Sequence, residues 1–287
     1  MPYDPDVIAR LYPAEPDGFA NDVICNHRGH IPARRPAPDR TSRESTVGLD
    51  EDRNPIDELP YIEFRFSRPP RSSLGFVFGT GSNSDVVLKD RKGNVRSRLS
   101  RSHFALTYKN AFRDGHSRLV VRDLESLHGT TVTYDSKGKD RRRKFDWTVS
   151  GPGVPVRVRT LIIQPDPWLT FRLIVMHHNI ASPAYNASIQ MFRRGGASAM
   201  DLLGGLGFEN GPETERQTGV HTPVKDPVFI EREVISKTGS TIVTRYWDVS
   251  SGEEYVCKSP AGARYDMRDW EGQIRVMGKV SHVSPTH

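Results

Sequence analysis

One six-residue stretch, Leu99–Phe104, places a serine, an arginine and a histidine close together. Hydroxyl and guanidinium groups donate hydrogen bonds to anions, and the arginine fork matches the oxygen atoms of a phosphate group. Two further short motifs flank this stretch, Phe78–Leu88 before it and Asp123–Thr130 after it. Loops of a rigid scaffold can present such donors side by side. These residue types can donate hydrogen bonds to an anionic ligand, so the three motifs are the candidate binding segments.

These three motifs, in this order and separated by β-rich runs, resemble the forkhead-associated (FHA) domain over Tyr61–His178. The resemblance implies an antiparallel β-sandwich that binds phosphothreonine on partner proteins. It also implies that the Ser100 hydroxyl donates to the phosphate and that Arg101 adds its guanidinium fork. Arg98, in the same loop, is expected to contact the phosphate or a residue after the phosphothreonine. By the same resemblance His103 braces the loops and has no catalytic role.

The sequence departs from the family at two positions. The family usually has an arginine directly after the first glycine and an asparagine before the Gly-Thr pair, whereas this chain has Thr80 and His128. The last loop is also one residue longer and contains Ser126. We expect these three residues to complete the peptide-binding set, with Ser100 and Arg101 contributing most of the affinity.

Three further motif residues are expected to shape the loops. Gly79 and Gly129 are predicted at turns or close approaches, where a β-carbon would be costly. Thr130 is expected to pack or to form a hydrogen bond at the start of its strand.

Periodicity independently predicts the scaffold. Tyr61–Phe66 alternates apolar and charged residues, which is typical of a half-buried strand. Short β-rich runs follow, separated by turn-rich segments, and such spacing favours an antiparallel sandwich. The runs are Phe76–Phe78, Val86–Leu88, Phe104–Tyr108, Leu119–Val121, Thr131–Tyr134, Val154–Ile163 and Leu169–Met176.

The flanking segments are predicted from composition. Residues 1–59 are rich in proline and charge and are expected to form a disordered tail before an FHA domain at 60–179. Residues 180–227 lose periodicity and read as a flexible linker, in which residues 198–206 offer one helical turn as an alternative.

Residues 228–287 resemble the start of a protein kinase amino-terminal lobe, a small α+β unit. The predicted strands are Val228–Ile235, Thr241–Trp247 and Glu254–Lys258, followed by a helix with apolar residues from Met267 to Val280. Lys258 would occupy the position of the kinase strand-three lysine, as a vestigial nucleotide contact.

The kinase resemblance is nevertheless incomplete. The positions of the phosphate-loop glycines hold Ser236, Thr238 and Thr241, and the glutamate partner of the lysine falls on Gln273, or on Glu271 if the helix shifts. The sequence also contains no kinase catalytic loop or metal motif. We therefore expect no kinase activity.

The charge and the cysteine content exclude some classes of protein. The net charge is +6, and Cys25 and Cys257 are the only cysteines, which argues against a disulfide framework or a zinc site. No secretory signal or membrane-length apolar run is present.

We expect an intracellular protein without a cofactor, in the nucleus if the basic run at 137–144 directs import and otherwise in the cytoplasm. No aromatic residues alternate with these charges, which argues against nucleic-acid binding.

Three functions remain open from the sequence. The first is a phosphothreonine-dependent protein-interaction module in signalling. The second is a fragment of an FHA-containing serine/threonine kinase whose catalytic half lies elsewhere. The third is an FHA-like structural sandwich that has lost phosphate binding, which Thr80 and His128 motivate.

Overall fold

The computed structural model describes residues 4–32, 59–110, 115–151, 154, 160–195 and 227–261. Within these ranges the chain forms fourteen strands and two helices. The strands are β1 Val7–Pro13, β2 His30–Ile31, β3 Tyr61–Arg65, β4 Phe76–Gly79, β5 Val86–Val87, β6 Phe104–Lys109, β7 Arg118–Asp123, β8 Thr131–Tyr134, β9 Asp146–Thr148, β10 Leu161–Asp166, β11 Leu169–Val175, β12 Phe229–Lys237, β13 Thr241–Asp248 and β14 Glu254–Pro260. The helices are α1 Phe19–Asn26 and α2 Pro183–Gly195.

Two sheets form a sandwich. The first has the strand order β2-β3-β1-β11-β10-β8 and the second has the order β5-β4-β6-β7-β9. All neighbouring strands are antiparallel except β4 and β5, which pair in parallel. The predicted mainly β, FHA-like sandwich is therefore confirmed.

Aromatic side chains join the two sheets. Phe64 of β3 packs on Phe76 and Phe78 of β4, with ring centroids 4.8 and 5.8 Å apart. Phe78 in turn stacks on Phe104 of β6 at 4.3 Å. These rings are almost fully buried, so the core fixes the ends of β4 and β6 from which the binding loops emerge.

The expected disordered tail is wrong for residues 4–32. Strand β1 lies inside the first sheet, pairing with β3 on one side and β11 on the other. Its residues Val7, Ile8, Ala9 and Leu11 are buried, and α1 covers them with Val23 and Ile24. The apolar run Val7–Tyr12 is short, so composition averaged over the tail concealed it. Residues 33–58 lie outside the described ranges.

The expected linker also begins with a helix. Helix α2 buries Tyr185, Ile189 and Phe192, which follow one another at separations of four and three residues and therefore share one face. Phe192 packs on Phe76 and Tyr108, at the start of β4 and near the end of β6. The helical turn expected at 198–206 lies outside the described residues.

The three strands predicted near the carboxyl end are present as the sheet β12-β13-β14. This sheet contacts the sandwich: Trp247 is fully buried with its ring 5.1 Å from that of Tyr134, edge to face. The backbone N–H of Thr148 donates to the carbonyl of Val249 at 2.8 Å, and Lys137 Nζ donates to the carbonyl of Glu231 at 2.9 Å. The helix expected at 267–280, with Glu271 and Gln273, lies outside the described residues.

Candidate phosphopeptide-binding site

Backbone hydrogen bonds join the loop after β4 to the loop before β6. Thr80 N–H donates to the carbonyl of Ser100, and Gly81 N–H donates to the carbonyl of Arg101, both at 3.0 Å. A β-carbon on Gly79 would lie 1.9 Å from the Arg101 carbonyl oxygen. Only glycine allows this approach, so the Gly79 backbone sets the position of Ser100 and Arg101.

Ser100 bridges this pair of loops to the third loop. Its Oγ accepts a hydrogen bond from the backbone N–H of Leu127 at 2.9 Å. That bond uses a lone pair of the oxygen, so the hydroxyl proton remains for a ligand. The Arg101 side chain next to it is exposed. A fixed hydroxyl donor beside an exposed guanidinium can hold a phosphate group.

His103 is buried beneath these loops. Its Nδ1 accepts from the backbone N–H of Ser100 at 3.1 Å, and its Nε2 lies 3.3 Å from the carbonyl of Gly129. Because Nδ1 accepts, Nε2 carries the proton and donates to Gly129. Burial lowers the pKa of His103, against the opposing effect of the Gly129 carbonyl, which favours this neutral tautomer. The imidazole joins two loops and does not face a ligand.

Asp123 organises the third loop, and sequence reasoning missed it. This buried carboxylate accepts from the Ser126 N–H, the Ser126 hydroxyl and the Thr130 hydroxyl at 2.6–3.0 Å. It also accepts from the Lys144 N–H at 2.9 Å. The position of Asp123 two residues after the predicted run Leu119–Val121 was the available signal, because polar residues beside a strand end can form hydrogen bonds that fix the following loop.

Ser126 does not face a ligand, contrary to expectation. It is buried, its hydroxyl donates to Asp123, and its Oγ accepts from the N–H of Gly129 at 2.9 Å. The hydroxyl thereby closes a tight turn whose backbone has φ +77° at Gly129. A β-carbon at Gly129 would also lie 2.7 Å from the Arg142 carbonyl oxygen. The structure thus places Ser126 and Gly129 in the loop framework.

The other predicted residues lie around this centre. Thr80 and His128 are half-buried in the first and third loops. Arg98 is about half exposed, and its Nε lies 3.8 Å from the buried carboxylate of Asp166. Thr130 is buried and pairs with Arg142 through two backbone bonds of 2.8 and 2.9 Å.

Much of the basic run at 137–144 takes part in the fold. Arg141 Nη1 donates to the carbonyls of Gly129 and Pro165 at 2.7 and 3.0 Å. Burial and the nearby Arg98 charge lower the pKa of Arg141. Lys144 pairs with Glu125 at 2.7 Å. These contacts attach the basic hairpin to the third loop.

Lys258 is not part of this centre. It lies on β14 opposite Val243 of β13. The β12–β13 turn, where the sequence resemblance placed a degenerate phosphate loop, is closed by its own bonds: Thr238 N–H donates to the Thr241 carbonyl at 2.8 Å, and Thr241 N–H donates to Thr238 Oγ1 at 3.0 Å. The bonds of this turn and the pairing of Lys258 thus lie within the carboxyl-terminal sheet.

The described residues contain neither a membrane-spanning helix nor a metal-binding cluster. Neither helix in the described ranges is long and apolar enough to cross a bilayer. Within the same ranges no three His, Cys, Asp or Glu side chains are grouped to hold a metal ion.

Comparison with known proteins finds one matching domain model. Residues 76–144 match the model of the FHA domain. No curated protein matches the chain. Among solved structures, the crystal structure of Rad53 1-466 in complex with AMP-PNP matches with a TM-score of 0.37 and 12% identity, covering 99% of this chain. The chain spans 52% of the length of that structure.

Proposed function

We propose, from the FHA domain that this chain contains at residues 76–144, that it binds phosphothreonine-containing proteins as a non-enzymatic interaction module in intracellular signalling. The observation that carries the proposal is the Ser100 hydroxyl, which Leu127 N–H fixes beside the exposed Arg101. Charge-assisted hydrogen bonds to a near-dianionic phosphate are among the stronger polar contacts in proteins.

The ligand would lie across three loops, and the residues of these loops have different roles. Ser100 and Arg101 bind the phosphate, and Arg98 adds positive charge at the side. Thr80 and His128 flank the phosphate-binding pair and contact the peptide backbone. Gly79, His103, Asp123, Ser126, Gly129 and Thr130 hold the loops in place. We further propose nuclear residence, with exposed residues of the hairpin at 137–144, such as Lys139 and Arg143, available to an import receptor.

The test titrates the full chain with a library of fluorescent phosphothreonine peptides and with their unphosphorylated counterparts. The full chain is needed because β1 and α2 complete the sandwich. Selective binding of phosphorylated peptides is expected. Equal binding of both sets would reject the proposal and support a purely structural sandwich.

Two substitutions and two matched controls locate the site. Ser100→Ala and Arg101→Ala each remove a charge-assisted bond and should weaken binding about tenfold or more. Ser97→Ala and Arg143→Ala, both at exposed positions, should leave affinity within about twofold. Phosphoryl transfer by the purified chain would instead favour the kinase alternative, in which Lys258 contacts a nucleotide.

A further inference from the structure

Strand β14 lies at the edge of the carboxyl-terminal sheet and carries exposed apolar side chains. Among the described residues it pairs with β13 alone. Tyr255 is 43% exposed and Val256 is 63% exposed. A regular, exposed edge is a template for pairing with a further strand, and soluble proteins usually protect such edges. The outer side of β14 is thus a candidate interaction surface.

The opposite edge of the same sheet, strand β12, is irregular. Its pairing with β13 shifts register twice, between Glu231 and Glu233 and between Val234 and Ser236. Such bulges twist an edge and interrupt its row of N–H and carbonyl groups. By contrast β14 pairs with β13 without a shift along its 7 residues, Glu254–Pro260. Of the two edges of this sheet, β14 is therefore the one suited to further pairing.

Two backbone bonds show which groups of β14 point outward. Asp248 N–H donates to the Glu253 carbonyl, and Ala261 N–H donates to the Ser240 carbonyl, both at 2.9 Å. Hydrogen-bonded and non-hydrogen-bonded pairs alternate along an antiparallel ladder, so the odd-numbered residues of β14 bond to β13. The even-numbered residues direct their N–H and carbonyl groups to the outer side. These residues are Glu254, Val256 and Lys258, and Pro260 ends the row because it has no N–H.

This row is complementary to a second copy of itself. When two β14 strands pair antiparallel about a twofold axis at Val256, the Glu254 of each copy faces the Lys258 of the other. Opposite charges directly opposite one another stabilise a strand pair. Moving the axis by one residue places Val256 opposite Glu254 or opposite Lys258 and removes both ion pairs, and the alternation of outward groups excludes the registers in between. Charge therefore selects one register.

The docking of the sheet on the sandwich involves its other strands. The contacts come from Glu231 of β12 and from Trp247 of β13. Glu254 already contacts Arg232 and Arg245, and 38% of its side chain remains exposed. A lysine of a second copy would join this group of charges, and such networks contribute more than isolated surface pairs.

We infer that two copies of this chain associate through β14, which joins the two carboxyl-terminal sheets across a twofold axis at Val256. Val256 of each copy exchanges backbone hydrogen bonds with its counterpart, and Glu254 pairs with Lys258 of the other copy. This association does not depend on phosphothreonine binding. One consequence does rest on the proposed function: a dimer presents two phosphopeptide sites and binds a doubly phosphorylated partner more tightly.

Disulfide cross-linking tests the axis. The full chain is first treated with a phosphatase, so that contacts to phosphothreonine contribute nothing, and Cys25→Ser and Cys257→Ser remove the native thiols. In this background Val256→Cys places two thiols on residues whose Cα atoms lie about 5.5 Å apart in the pair, within reach of a disulfide. We expect oxidation to link these chains at least about tenfold faster than Val234→Cys chains, because pairing raises the effective thiol concentration. Val234 is the matched control, since it is similarly exposed on β12.

Exchange of charges tests the register, with sedimentation velocity over a range of chain concentrations as the measurement. Glu254→Lys and Lys258→Glu should each weaken self-association about tenfold or more, because like charges then face each other at both ends of the pair. An equimolar mixture of the two variants should associate as the wild-type chain does, since each lysine again faces a glutamate. Mixing would not repair a folding defect, so this recovery separates strand pairing from stability.

The outcomes decide the proposal. Dimers that form with rising concentration, link rapidly through Val256→Cys and recover in the mixture support the interface. A chain that stays monomeric at all concentrations, as when residues 262–287 occupy the edge, overturns it. A dimer that Glu254→Lys leaves intact, or equal cross-linking rates at positions 256 and 234, overturns it as well. The peptide titration tests phosphothreonine binding separately, so a failure of either proposal leaves the other standing.

Discussion

The backbone N–H of Ser100 donates to Nδ1 of His103 across 3.1 Å, so a neutral imidazole supports the residue proposed to bind phosphate. A proton on Nδ1 would replace this acceptor with a donor and break the bond. The geometry of the phosphate site thereby depends on the protonation state of a side chain that the ligand does not touch.

Protonation of His103 should therefore reduce stability in acid. Burial lowers its folded-state pKa below the ordinary 6.5, so the unfolded chain binds a proton more readily than the folded chain does. The contribution of His103 is fully present above about pH 6.5 and declines as the pH falls towards the folded-state pKa. The free energy of unfolding, measured by urea titration across this range, should fall with falling pH.

His103→Gln isolates this contribution. His27 and His178, whose pKa values burial also lowers, contribute with the same sign and remain in the variant. We expect His103→Gln to be less stable by about 1–3 kcal/mol at neutral pH and to show a shallower decline in acid. Parallel declines in both proteins would contradict the assignment.

Gly79→Ala should disturb the site directly. The new β-carbon would meet the Arg101 carbonyl oxygen, and such overpacking costs about 1–3 kcal/mol. Because the displaced backbone carries Ser100 and Arg101, phosphopeptide affinity should fall together with thermal stability. Gly239→Ala is the matched control, since no atom lies within 4 Å of its β-carbon and stability should change by less than about 1 kcal/mol.

Asp123→Asn tests the carboxylate that holds the third loop. An amide offers one acceptor oxygen in place of two, so buried donors of Ser126, Thr130 or Lys144 lose their partner. We expect a loss of about 2–3 kcal/mol in the free energy of unfolding. Asp90→Asn serves as the control: Asp90 also accepts from nearby N–H groups, but in an exposed turn where water can replace it. A similar loss in both variants would refute the role given to Asp123.

Trp247→Ala should detach the carboxyl-terminal sheet from the sandwich. Removing this fully buried ring from its contact with Tyr134 costs about 3–5 kcal/mol. Limited proteolysis should then cleave residues 228–260 faster than in the wild-type chain. Val256→Ala, at an exposed position of β14, is expected to leave the cleavage rate unchanged, and equal protection of all three proteins would argue against docking through Trp247.

The sandwich was predictable because its strands alternate within short windows. Tyr61–Arg65 and Leu169–Val175 lie where the pattern indicated. Strand β1 was missed because its partners are distant in sequence: Ala9 pairs with Phe64 and Val175. Local composition carries no information about such partners, and the surrounding proline and charged residues favoured disorder.

The sequence motif predicted the residues of the central loop, but it did not predict which polar side chains of the third loop face the core. The Ser-Arg-x-His pattern located Ser100, Arg101 and His103, since their spacing is local. Whether Ser126 faces the ligand or the core depends on the buried carboxylate of Asp123, which forms a hydrogen bond with it. A sequence shows both residues but not the fold of the turn between them.

The interior position of β1 has a consequence for how the chain folds. Ala9 cannot pair with Val175 until all the residues between them have been synthesised, and closing so long a loop is entropically costly. Strand β1 is therefore synthesised before β11 and lacks this neighbour until β11 has been made. High contact order of this kind slows folding. We therefore expect the first sheet to form slowly when the unfolded chain is returned to native conditions.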